Sequence, residues 1–161
     1  MNAGMRKGLV VAALHVAIVS SLGAKLLVDR ATRPRVWARA APFDPNLPIR
    51  GRYVSLRLEA AVQDASLPEP TDLAVRDNQL VAIRSQRPSG LRAHAVHRDG
   101  HLVAVLDEPV AFFIPEHVPD PSRRAQDEEL WVEVTLPRAG SPRPIRLGVK
   151  RNGVLTPLDL R

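Results

Sequence analysis

Gly8 to Ala24 is an unbroken run of 17 uncharged residues, bounded by Arg6 and Lys7 before it and Lys25 after it. Such a run restricts the fates of a chain's first thirty residues more than any other feature. Counted from Leu9 to Val28 the segment has 20 residues, with Lys25 able to snorkel toward the interface. At ~1.5 Å per residue a helix of this length covers about the ~30 Å of a bilayer's hydrocarbon core. Three readings compete: an uncleaved anchor, a cleaved signal peptide with Ser21-Leu22-Gly23 as the small-x-small site, and a buried helix of a soluble protein. Span length and flanks favour the anchor. His15 is the one awkward side chain, and a neutral imidazole is tolerated in lipid or faces a partner helix.

The formal net charge is +6, which raises the question of a nucleic-acid partner. Residues 1–50 hold Arg6, Lys7, Lys25, Arg30, Arg33, Arg35, Arg39 and Arg50 against Asp29 and Asp44, whereas residues 51–161 carry fifteen side chains of each sign. The whole surplus therefore flanks the apolar segment. That placement suits a membrane protein, whereas a nucleic-acid binder should carry its basic patch on the folded part, which has no surplus. The expected partner is thus the lipid bilayer, with a further integral membrane protein as a candidate; no nucleic acid is expected, and a small-molecule ligand is left unassigned. Orientation cues conflict. A short basic leader favours export of the remainder, while Lys25, Arg30, Arg33, Arg35 and Arg39 pull the downstream flank inward. Export is the favoured reading.

With no cysteine, neither disulfides nor thiolate metal sites are available. Fifteen prolines and few aromatics point to many turns and an aliphatic core. The stretch 29–50 is Arg-rich and punctuated by Pro34, Pro42, Pro45 and Pro48, which forbids a long helix but permits a first strand over 35–41 with Val36 and Ala38 on one face. From 52 to 63 the alternation is clean: Val54, Leu56, Leu58, Ala60 and Val62 share one parity, and Tyr53, Ser55, Arg57, Glu59 and Gln63 the other. A period of two predicts one buried and one wet face. Asp77-Asn78, Asp99-Gly100 and Asn152-Gly153 each sit between apolar runs as hairpin turns. Residues 117–128 read as an exposed polar loop, and residues 129–137 alternate again, with Leu130, Val132, Val134 and Leu136 on one side and Trp131 on the other. About ten short strands result, and the expected fold is all-β, an antiparallel sandwich or small barrel preceded by one N-terminal transmembrane helix. The domain plan is a leader (1–8), an anchor (9–28), a Pro/Arg-rich linker with the first strand (29–50) and a β-domain (51–161).

The segment Gly51-Arg52-Tyr53-Val54-Ser55-Leu56-Arg57-Leu58, led by Pro42-Phe43-Asp44-Pro45, resembles the bacterial GDYXXLXY family, named for its motif and of unknown function. Phe112-Phe113-Ile114-Pro115-Glu116 looks like that family's later Phe/Tyr-x-x-Pro-Glu segment, so the resemblance extends over most of the chain. It implies a single N-terminal span in the bacterial inner membrane followed by a β-domain, which the export reading of the flanks puts on the periplasmic side. Two positions depart from the motif: its Asp is Arg52 and its last Tyr is Leu58. Gly51, Tyr53, Leu56, Leu58, Pro115 and Glu116, with Arg52, are accordingly expected to serve structure or partner contact.

No catalytic, cofactor or metal residues are expected. His94, His97 and His101 form the only histidine cluster, but residues three apart on a strand point to opposite faces, so His94 and His97 diverge. A Ser55–Lys150 dyad has no motif around either residue. Asp107-Glu108 and Asp127-Glu128-Glu129 lack the spaced oxygens and glycine bend of a calcium loop and read as solvated turns balancing arginines. The function expected is a membrane-tethered accessory or interaction module of the bacterial envelope. An envelope hydrolase with an unrecognised site, or a small-ligand carrier in a barrel mouth, is the alternative.

Overall fold

A computed structural model describes residues 3–43, 52–86, 90–125, 127–137 and 140–160. The chain divides into two compact units, Met1–Arg33 and Pro34–Arg161.

The first unit is one α-helix, α1 (Ala3–Thr32), within which Lys7–Val28 is long and apolar enough to cross a membrane. Leu14, Val19, Leu22 and Leu27 are all more than half exposed and, at about 100° per residue, point to four different sides. A helix without a polar stripe has no face selected for water.

The second unit is all-β, and its described residues form a ten-stranded sheet that curls into a half-barrel. Its first strand, β1 (Arg35–Pro42), falls in the Pro/Arg-rich stretch and buries Val36, Ala38 and Ala40. β2 (Tyr53–Val62) is the hub. One of its edges pairs with β7 (Val110–Phe113) and then with β6 (His101–Leu106), both antiparallel. The other pairs with the end of β1 and then, in parallel, with β4 (Gln79–Arg84). β3 (Thr71–Arg76) and β5 (Ala93–Arg98) form hairpins with β4 and β6. The start of β1 pairs with β8 (Glu128–Thr135), followed outward by β9 (Arg143–Arg151) and β10 (Val154–Pro157).

All three expected turns form. Asp77 and Asn78, Asp99 and Gly100, and Asn152 and Gly153 have φ between 49° and 82°, the left-handed pair that a two-residue primed turn requires. The core is aliphatic, with Leu56, Leu58, Val132, Val134 and Leu147 fully buried. The expected parity of β2 places Val54, Leu56, Leu58 and Ala60 inside, but its wet face is only partly wet: Ser55 and Glu59 are buried as well. On that face Glu59 is covered by the Arg39 and Arg98 side chains of other strands. β8 behaves similarly, since Glu133 and Thr135 are buried beside Val132 and Val134 where a bulge interrupts the β8–β9 ladder at Pro144.

Candidate functional site

β1 and β2 lie side by side only over Ala40–Pro42 and Leu56–Leu58. Beyond that, Arg35–Arg39 turns to β8 while Glu59–Val62 turns to β6 and β4. The strands part at Arg39 and Glu59, and a cleft of about 540 Å³ opens in the fork. Trp37 and Arg39 stand on its β1 wall, Trp131 and Lys150 on β8 and β9, and Asp77–Leu80 with Arg98–Asp99 and His101 at the β3–β4 and β5–β6 turns.

A five-membered charge network closes the apex. The Glu59 side chain, 5% exposed, accepts from Arg98 Nη2 at 2.9 Å and lies 3.9 Å from Arg39 Nε. Arg39 also reaches Asp99 at 3.3 Å and Glu129 at 3.1 Å. Glu129 is held in turn by the indole N–H of Trp131 at 3.0 Å. A carboxylate this buried is stable only when paired, and two guanidiniums on different strands supply that here. The Asp99-Gly100 turn is what brings Arg98 and Asp99 over the fork. Both tryptophans of the chain carry cations: Lys150 Nζ lies 4.7 Å from the Trp131 ring and the Arg146 guanidinium 5.3 Å from Trp37. Trp37 also covers Gly148 so closely that a Cβ there would meet its ring at 2.8 Å.

The sequence-derived motif residues lie elsewhere, and they explain one another. Tyr53 is opposite Phe113 in the β2–β7 ladder with ring centroids 6.3 Å apart, the Ile114 N–H donates to the Arg52 carbonyl at 3.1 Å, and the Arg52 guanidinium donates to the Glu116 carbonyl. The two segments that carry the family resemblance are thus pinned together as neighbouring strands. Leu56 and Leu58 are core, Pro115 and Glu116 are exposed, and Gly51 lies outside the described residues. Near the Glu116 end, burial pushes the Asp120 carboxyl up, but hydrogen bonds from the Ser122 hydroxyl and N–H, with Arg123 and Arg52 nearby, outweigh it and hold the group below the usual carboxylate value.

The three hairpin histidines do not converge. His94 bonds Asp107 at 2.7 Å, His97 is exposed opposite Leu102, and His101 faces the cleft. Ser55 and Lys150 belong to different ladders, Ser55 opposite Ala111 and Lys150 opposite Glu129. Among the described residues no group of three or more His, Asp or Glu is placed to hold a metal. Glu128, expected in the polar loop, instead opens β8 and pairs with Arg151 at 2.7 Å, while Glu129, the expected start of that strand, joins the fork. Arg39, Glu59, Arg98 and Glu129 come from four strands, so no sequence spacing marks the fork. The one local signal was a tryptophan on the wet parity of each of β1 and β8.

The chain matches no protein-family model, no curated protein and no solved structure. Fold and site together define a class: an all-β half-barrel with an open, charge-paired cleft, in a chain whose N-terminal helix is long and apolar enough to span a membrane.

Proposed function

We propose that the protein is a single-pass, membrane-tethered interaction module of the bacterial envelope, its β unit displayed on the periplasmic side of the inner membrane. The observation that carries this reading is the all-round apolar helix. Eleven large apolar side chains between Leu9 and Val28 are exposed in the lone chain. Hydrating them would cost on the order of 20 kcal/mol, which lipid removes.

A binding rather than catalytic role is favoured by the fork. Glu59, Asp99 and Glu129 are engaged by arginines or an indole, and among the described residues no serine, threonine or cysteine lines it. The small-ligand carrier calls for a deep apolar pocket, whereas the interior here is filled by Leu56, Leu58, Val132 and Leu147 and the cleft is open and polar-rimmed. Membranes washed with alkaline carbonate should retain the full chain with Met1 intact, and a reporter fused at Arg161 should be active only outside the cytoplasm. Release of the intact chain by the wash refutes the tether.

A further inference from the structure

His15 lies near the middle of the apolar span, about 12–15 Å along the axis from Lys7 and Lys25, beyond reach of headgroups. Its Nδ1 is 2.8 Å from the carbonyl oxygen of Val11. A carbonyl oxygen can only accept, so in the neutral ring the proton sits on Nδ1 and Nε2 carries an open lone pair. We infer that His15 is a docking point for a different membrane helix, one that presents an N–H or O–H donor at mid-depth. This inference rests on the lipid-embedded reading of α1.

The tautomer determines the kind of partner. A second copy aligned in parallel would meet His15 with His15, acceptor against acceptor, unless one ring gave up its Val11 bond to carry its proton on Nε2. The span's serines do not supply the donor either: they lie about 8–9 Å further along the axis, and Ser21 already donates to the Ile18 carbonyl at 2.8 Å. A heterologous helix bearing Ser, Thr, Asn, Gln, Tyr or Trp satisfies Nε2, and hydrocarbon offers no alternative donor. Gly8 and Ala12 share the His15 face with Val19 and Leu22, so the side of the helix that needs a partner also admits close backbone approach.

The chain lacks cysteine, so Ala31→Cys provides a unique, exposed dye site at the end of α1. The labelled full chain is reconstituted in phosphatidylcholine–phosphatidylglycerol vesicles with a Leu/Ala guest helix carrying one central Asn, or Leu in its place. Energy transfer should report roughly three- to thirtyfold tighter association with the Asn guest. That preference should vanish in His15→Leu and return in His15→Gln, which restores an acceptor. Equal association of the two guests overturns the inference, as does self-association that disappears in His15→Leu. Failure of the chain to float with the vesicles overturns the tether as well; flotation without guest preference overturns the inference alone.

Discussion

Replacing Arg98 with Met removes the nearer of the two guanidiniums that hold Glu59, leaving the buried carboxylate with Arg39 Nε at 3.9 Å. Arg39 cannot move closer without loosening Asp99 and Glu129. Breaking a fully buried pair costs about 3–5 kcal/mol and an exposed one about 0–1 kcal/mol. Glu59 is at the first limit with 5% of its side chain exposed, and Arg98 lies between the limits with 37%. The expected loss for Arg98→Met is therefore about 2–3 kcal/mol. For a unit of this size that lowers Tm by roughly 6–15 °C. Trp37 and Trp131, the chain's only tryptophans, both flank the fork, so tryptophan fluorescence of the full chain in detergent reads unfolding of the β unit alone. Adding Glu59→Met removes the orphaned charge, and the double variant should recover to within about 1 kcal/mol of wild type. An Arg98→Met variant within about 0.5 kcal/mol of wild type, or a double variant whose losses simply add, would refute the claim that Glu59 depends on this pair.

Two further perturbations probe neighbouring features. Gly148→Ala places a methyl 2.8 Å from the Trp37 ring and 3.2 Å from the Thr156 carbonyl, so the ring must lift; a loss of about 1–3 kcal/mol with a shifted emission maximum is expected, and an unchanged spectrum contradicts the packing. Asp120 has a depressed folded-state pKa, so its contribution is complete above the unfolded value of 3.8 and disappears as pH falls through the lower folded value. Asp120→Asn should lower stability between pH 6 and about 8 by less than about 1 kcal/mol and flatten the acid limb, the loss disappearing once pH falls below the folded value; a loss that appears only in acid would contradict the sign.

Much of the fold is legible in local pattern. The uncharged run from Gly8 to Ala24, the alternation of Val54 to Val62 and of Leu130 to Leu136, and the dipeptides Asp77-Asn78, Asp99-Gly100 and Asn152-Gly153 each encode their structure within a few residues, because period and left-handed φ are properties of short segments. Which strands neighbour each other is not local. The parallel β2–β4 pair and the pairing of Tyr53 with Phe113 depend on how the sheet curls, and hydrophobic parity is indifferent to the choice of neighbour.

The candidate site belongs wholly to that second kind of information. Read along β2, Glu59 is one more residue on the wet parity; only the parting of β1 from β2 buries it and brings Arg39, Arg98 and Glu129 around it from three other strands. By itself the amino-acid sequence determined a bilayer-length apolar helix and a strand-built unit with no surplus charge after residue 50. Tertiary structure decided where charge is buried and where the cleft opens, since burial is a property of neighbours and not of a residue's own parity.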